Sequence, residues 1–159
     1  MAAQASNPTK PKPEASQPWH IAYPAPQTTA SSITCEHLLS WMKAGKRPAM
    51  HFVLVDLRRT DFEGGTIRGS INLPAQSLHL TIPSLYALFS EAEVTEVIWY
   101  CGSSKGRGAR AAGWFADYLK ERNDVSMESL VLEGGVRCWA TAGEEYVELM
   151  DGYDAAVWK

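Results

Sequence analysis

Apolar residues along this chain fall into short continuous runs that alternate with helical stripes. The runs at 51–57, 95–100 and 127–132 predict strands that are buried on both faces, as in a parallel sheet. Helical spacing is clearest after residue 101, where one face is formed by Ala111, Trp114, Phe115, Tyr118 and Leu119. Because strands and helices alternate, we expect a three-layer α/β domain with a mostly parallel central sheet.

Shorter segments complete this prediction. Thr34 can cap a helix that runs through Gly45, and a second helix is expected around 83–89, with Pro83 near its start. A short segment at 71–73 precedes Pro74, and a short helix is expected over 136–142. The pattern at 144–150 predicts an amphipathic C-terminal helix.

The first 18 residues differ from the rest because they show no apolar periodicity. A segment that buries so little apolar surface cannot offset the entropy cost of ordering, so 1–18 is predicted to be a disordered tail. The 159-residue length fits one domain over 19–159, with a core over 33–143.

Charge and cysteine content narrow the function classes. A net charge of -3 gives no global reason to expect nucleic acid or an anionic membrane as partner, and no apolar run approaches the ~18 residues of a membrane span. Three irregularly spaced cysteines and four histidines without metal-ligand spacing predict no metal site. A reducing, intracellular location, cytoplasmic or nuclear, is expected.

The strongest chemical signal is the loop between the strand at 95–100 and the helix that follows. It consists of Cys101, Gly102, Ser103, Ser104, Lys105, Gly106 and Arg107. Ligands of open α/β sheets bind beyond the carboxyl ends of the strands, where a helix N-terminus offers free amides. We therefore expect residues 102–106 to bind an oxyanion, helped by glycines at 102, 106 and 108 that turn the amides inward.

Two side chains of the loop suggest catalysis. The planar fork of Arg107 suits two oxygens of a tetrahedral oxyanion, and the positive field should favour the thiolate of Cys101, the candidate nucleophile. Alternatively, Cys101 is a small buried residue that ends a strand, and the glycines only make a turn. The flanking strand and helix favour the catalytic interpretation.

Four segments resemble, in order, the motifs of the rhodanese superfamily. They are VLVDLR at 53–58, DFEGGTIRGSINLP at 61–74, the loop at 101–107, and LEGG at 132–135 with Trp139. The resemblance runs from Ile33 to about Gly143. It implies a rhodanese-like fold with about five strands flanked by helices.

Loop length separates the branches of that superfamily. Sulfurtransferases have a six-residue active loop, whereas the cell-division-cycle dual-specificity phosphatases and the eukaryotic arsenate reductases have seven residues that end in Arg. Arg107 is the seventh residue here, and Ser104-Lys105 before Arg107-Gly108 is more similar to the arsenate reductases. The resemblance implies attack by Cys101 on arsenate or a phosphate monoester, including that of a phosphoprotein. It also implies glutathione or a glutaredoxin as reductant and no bound cofactor.

Two other functions stay open: a thiosulfate-type sulfurtransferase, and an inactive module that binds anions. Three positions depart from the family pattern, because Tyr100 and Thr66 replace usual histidines and Ala109 replaces a usual proline. These departures affect the expected tuning of the thiolate and the fit of the substrate rather than the fold.

Residues outside the loop have competing interpretations. Asp56 and Arg58 end a strand at the same sheet edge, and either support the site or hold the strand end by ion pairing. The loop contains no aspartate or glutamate that could protonate a leaving group, so Asp61 and Glu63 stay open as candidate proton donors.

The remaining candidates are two cysteines and a histidine. Cys138 is expected to pack in the core, with resolution of an oxidised Cys101 as the alternative. Cys35 begins a helix, a position that can lower a thiol pKa. Among the histidines, only His79 is considered near the substrate.

Overall fold

The computed structural model describes residues 17–159, so the tail predicted over 1–18 lies almost wholly outside the described residues. The strands are β1 (Ser31–Ile33), β2 (Phe52–Asp56), β3 (Thr66–Ile67), β4 (Ile71–Asn72), β5 (Glu96–Tyr100), β6 (Glu128–Leu132) and β7 (Met150–Asp151). The helices are α1 (Cys35–Lys43), α2 (Ile82–Glu91), α3 (Arg107–Glu121), α4 (Gly135–Thr141) and α5 (Glu144–Val147). Single 3-10 turns lie at Trp19–Ala22, Ala75–Ser77, His79–Thr81 and Ala155–Trp158.

Five strands form one parallel sheet in the order β1-β6-β5-β2-β4. Alternate residues of the central strands face opposite layers. Val97 and Trp99 of β5 pack with α2 and α3, whereas Ile98 and Tyr100 pack with α1 and α4. Helices therefore cover both faces, and the predicted three-layer α/β fold with a parallel central sheet is confirmed.

Local sequence explains the element boundaries near the site. Thr34 caps α1, since its side chain accepts a hydrogen bond from the His37 amide at 3.1 Å. Strand β2 is buried at every position, as its continuous apolar run predicts. Among residues 17–159, no helix is long and apolar enough to cross a membrane.

The C-terminal part corrects one prediction. The helix expected over 144–150 ends at Val147, and Met150 instead belongs to β7, which pairs antiparallel with β3. Met150 is buried opposite Ile67, so pairing with a distant strand overrides a local helical period. The short strands β1, β3 and β7 were not predicted.

Candidate active site

The carboxyl ends of β2 and β5 lie side by side and set the position of the site. Asp56 and Tyr100, the last residues of these strands, are direct neighbours in the sheet. The N-terminus of α4 closes the other side, because the amides of Val136 and Arg137 donate to the carbonyls of Cys101 and Gly102, each at 3.0 Å. A Cβ at Gly135 would lie 2.4 Å from the Cys101 carbonyl oxygen, so only glycine permits this contact.

Cys101 lies buried at the base of the loop. Its Sγ accepts a hydrogen bond from the Ser104 amide at 3.2 Å, and its own amide donates to Ser104 Oγ at 3.3 Å. Ser104 is thus the loop residue that contacts both the amide and the sulfur of Cys101. A backbone amide aimed at the sulfur is a group that stabilises negative charge there.

Backbone conformation in the loop differs from the expectation. The left-handed residue is Ser104, with φ of 61°, whereas Gly102, Gly106 and Gly108 all lie outside the positive-φ region. Gly108 matters for packing instead, since a Cβ there would lie 2.9 Å from Ser104 Cβ. The prediction that these three glycines supply the unusual angles is therefore wrong.

The remaining loop residues are more open than Cys101. Ser103, Lys105 and Gly106 are exposed, and Gly102 is half-buried. The Lys105 amide lies 3.5 Å from Ser103 Oγ, at the outer limit for a hydrogen bond. The loop therefore has an exposed outer part, formed by these residues, and a buried base, formed by Cys101 and Ser104.

Arg107 begins α3 and is paired with a residue that lies outside the loop. Its Nη1 and Nη2 donate to Oδ1 and Oδ2 of Asp61, with Nη1 at 2.8 Å. The hydrogen bond from Arg107 lowers the pKa of Asp61 to about 2. The pKa of Arg107 is raised, chiefly by Asp61, and the nearby Cys101 side chain adds to that rise. Residues 61 and 107 are far apart in sequence, so no local pattern indicated this pair.

Asp56 and Arg58 form a second pair, which is entirely buried. Arg58 Nε and Nη2 donate to the two Asp56 oxygens at 3.0 and 2.8 Å. The other contacts of the guanidinium are the carbonyls of Glu63 at 2.8 Å and Gly65 at 2.7 Å. Of the two interpretations, this geometry matches stabilisation of the strand end by ion pairing.

Tyr100 carries a hydroxyl network on the face of the sheet that packs with α1 and α4. Thr66 Oγ1 donates its only proton to Asp56 Oδ2 at 2.8 Å, so Tyr100 must donate in its own 2.8 Å contact with Thr66. The Tyr100 oxygen then accepts from Ser70 Oγ and, at 3.3 Å, from the Ile67 amide. Burial, and secondarily the charge of Asp56, raises the pKa of Tyr100, so this residue stays neutral.

The other two cysteines lie on helices, Cys35 at the start of α1 and Cys138 in α4. Cys138 is exposed rather than packed in the core, so that prediction is wrong. Burial raises the pKa of Cys35, with neighbouring Cys138 as the next cause, which contradicts the lowering expected at a helix start. For Cys35, the loss of solvent around the thiol outweighs the field of the helix start.

His79 lies among aromatic rings rather than at the loop. Its ring centroid is 5.0 Å from that of Tyr23 and 4.9 Å from that of Trp114. Within residues 17–159, no cluster of three or more His, Cys, Asp or Glu could hold a metal ion.

Comparison with known proteins identifies the family. A model described as a rhodanese-like domain matches residues 35–142. The chain belongs to this family. Arsenical-resistance protein 2 of Saccharomyces cerevisiae is 36% identical over 97 residues, which cover 57% of this chain and 75% of that protein.

Solved structures agree with the rhodanese-like fold. An As–Sb reductase from Leishmania major superposes with a TM-score of 0.59 at 26% identity, covering 67% of this chain and 73% of that one. A yeast protein tyrosine phosphatase of the rhodanese family gives a TM-score of 0.70 at 24% identity, covering 83% and 99%. At that identity, the phosphatase structure supports the fold alone.

Family membership gives meaning to two of the sequence departures. At Thr66 and Tyr100 the resemblance to the family implied histidines, and in this rhodanese-like domain the two hydroxyls contact each other. The two replacements therefore form one neutral hydrogen-bonded unit.

Proposed function

We propose that this rhodanese-like domain is a thiolate enzyme that reduces arsenate, with Cys101 as nucleophile and residues 102–107 as the oxyanion site. The observation that carries the proposal is the seven-residue loop itself. Its Ser104 amide points at the Cys101 sulfur, and its last residue, Arg107, lies close to that sulfur. Amides and a guanidinium around one sulfur suit a tetrahedral anion.

Two relatives support arsenate as the substrate. The yeast relative is named for arsenical resistance, and the Leishmania relative is an As–Sb reductase. Both match this chain above 25% identity, and the first over three quarters of its own length.

The first chemical step is displacement at arsenic. The Cys101 thiolate attacks bound arsenate, an As–O bond breaks, and the hydroxide leaves as water after taking a proton, which gives a Cys101–S–As(V) adduct. Arg107 and the loop amides stabilise the charge on the arsenate oxygens. The protons come from arsenate itself: the bound monoanion carries two on its oxygens, and both leave with the departing oxygen as water, so no acid from the protein is required.

A glutathione thiolate then attacks the Cys101 sulfur. The S–As bond breaks, its electron pair stays on arsenic, and arsenite leaves while a Cys101–glutathione disulfide forms. A second thiol, from glutathione or a glutaredoxin, reduces that disulfide and restores Cys101. The balance is two thiols oxidised to one disulfide for each arsenate reduced to arsenite.

The environment of Asp61 argues against efficient cleavage of alkyl phosphates. With a pKa of about 2, Asp61 is ionised at neutral pH and cannot protonate an alkoxide. For Glu63, the hydrogen bond with Arg58 is made by the backbone carbonyl. This contact does not direct the Glu63 carboxylate toward the loop. Aryl phosphates, whose leaving groups need no acid, are the phosphatase substrates that this site suits.

The experiment compares three reactions in one preparation: arsenate with glutathione and glutaredoxin, an aryl phosphate, and thiosulfate with cyanide. We expect arsenate turnover to dominate, Cys101→Ser to abolish it, and the matched control Cys138→Ser to retain it. Near-normal turnover in Cys101→Ser would refute the mechanism. Dominant thiosulfate activity would instead identify a sulfurtransferase, and no turnover with any substrate would identify an anion-binding module.

A further inference from the structure

The Arg107 guanidinium is only partly occupied by its partner. Asp61 accepts one hydrogen bond from Nη1 and one from Nη2. A guanidinium carries five N–H donors, so three, including the one on Nε, are left. Apart from Asp61, the acceptor near the guanidinium is the Cys101 side chain. The donors that are left therefore lie at the loop, where a tetrahedral anion would bind.

The segment that carries Asp61 is fixed to the sheet. Arg58 donates to the carbonyls of Glu63 and Gly65 on the far side of Asp61, and Arg58 is itself held by buried Asp56. The Asp61 carboxylate also accepts from the Arg59 amide at 3.2 Å, which fixes its own orientation. Asp61 is therefore a fixed anchor and not a flexible surface side chain.

Arg107 needs such an anchor because of its place in the fold. It is the first residue of α3, and its side chain is 23% exposed. A long arginine side chain at this position would sample many rotamers, and ordering it upon substrate binding would weaken affinity. A two-point contact with Asp61 fixes the plane of the guanidinium beforehand.

We propose that Asp61 is the positioning residue for Arg107: it holds one end of the guanidinium beside Cys101 and leaves the other edge for the oxyanion. This inference rests on the proposed function, since it assigns Asp61 a role at that same site. Asp61 does not touch the substrate and donates no proton.

The negative charge of Asp61 also has an opposite effect, because it repels an anionic substrate. The carboxylate is 47% exposed, so solvent and salt screen that repulsion. The geometric effect is not screened. We therefore expect the net effect of removing the charge to be weaker oxyanion binding.

The test uses Asp61→Asn and Asp61→Glu in the full chain, with Asp151→Asn as the control. Asp151 pairs with Arg68 at 3.1 Å on the surface, so it is a matched ion pair outside the loop. Inorganic phosphate serves as a competitive probe against arsenate. For Asp61→Asn we expect the phosphate inhibition constant and the arsenate KM to rise about tenfold, with a smaller change in kcat, whereas Asp61→Glu recovers part of the loss and Asp151→Asn matches wild type.

A double-mutant cycle shows whether the effect passes through Arg107. In an Arg107→Lys background, the two-point contact is already lost, so adding Asp61→Asn should change phosphate affinity less than twofold. Phosphate affinity that is unchanged or tighter in Asp61→Asn would overturn the proposal, as would additive effects of the two substitutions. If wild type lacks Cys101-dependent turnover and phosphate inhibition, the proposed function itself fails; an active wild type with a normal Asp61→Asn rejects only the positioning role.

Discussion

Two arginine–aspartate pairs at this end of the sheet have the same chemistry but differ in solvent exposure. The Arg58–Asp56 pair is 2% and 0% exposed, whereas the Arg107–Asp61 pair is 23% and 47% exposed. Arg58 uses two further donors on backbone carbonyls, whereas Arg107 makes its oxygen contacts with Asp61 alone and has its other donors beside Cys101. A buried pair whose arginine also holds backbone carbonyls stabilises the fold, while an exposed pair with donors left beside the loop is suited to binding a ligand.

The largest expected effect comes from breaking the buried pair. Arg58→Met leaves the Asp56 carboxylate without its partner in the core, which should destabilise the fold by about 3–5 kcal/mol. Urea unfolding measures this loss. Arg68→Met, in the exposed pair with Asp151, should cost less than about 1 kcal/mol. Equal effects of the two substitutions would contradict a structural role for Arg58.

Changing the exposed pair should affect catalysis instead of stability. Arg107→Lys keeps the charge but loses the planar fork, so kcat/KM for arsenate should fall about 100-fold, equivalent to about 2.7 kcal/mol. The free energy of unfolding should change by less than about 1 kcal/mol. Steady-state kinetics and urea unfolding check both parts, and unchanged arsenate affinity would contradict the role of Arg107.

A smaller effect is expected where α3 packs against the loop. Glycine-to-alanine changes usually stabilise a helix by up to about 1 kcal/mol. At Gly108, however, the new methyl group would press on Ser104, whose amide contacts the Cys101 sulfur. We expect Gly108→Ala to lower kcat/KM about tenfold. A stabilised variant with wild-type kinetics would show that the loop is not held by this packing.

The smallest effect is the acid dependence of the Arg107–Asp61 pair. The pKa of Asp61 falls from an ordinary 3.8 to about 2 in the folded chain, so the pair contributes stability above pH 3.8 and loses it as the pH falls through 2. Asp61→Asn should therefore lower the Tm slightly at pH 6 and by less at pH 3. Thermal denaturation at both pH values measures the difference, and a gap that widens in acid would refute this linkage.

Strong local patterns made much of the fold predictable. The buried runs at β2, β5 and β6 and the apolar face of α3 are long enough to identify these elements from sequence. Strands of two or three residues, such as β1, β3 and β7, are too short to show an alternation of apolar and polar positions. They form by pairing with strands that are distant in sequence. The same limit explains why a helix was wrongly expected at Met150.

The candidate site was predictable only where its residues are contiguous. The loop from Cys101 to Arg107 could be found because strand, loop and helix follow one another. The contacts of Arg107 with Asp61 and of Tyr100 with Thr66 join residues 46 and 34 positions apart, so no local pattern indicates them. The exposure of Cys138 likewise depends on how α4 packs.

The central claim is that Cys101 is a reactive thiolate beneath an oxyanion-binding loop. Alkylation by iodoacetamide, followed for each cysteine by peptide mass spectrometry between pH 5 and 9, tests it most directly. We predict that Cys101 reacts faster than Cys35 and Cys138 near neutral pH, and that inorganic phosphate slows the reaction of Cys101 alone. A Cys101 that is unreactive below pH 8, or that phosphate does not protect, would contradict the account.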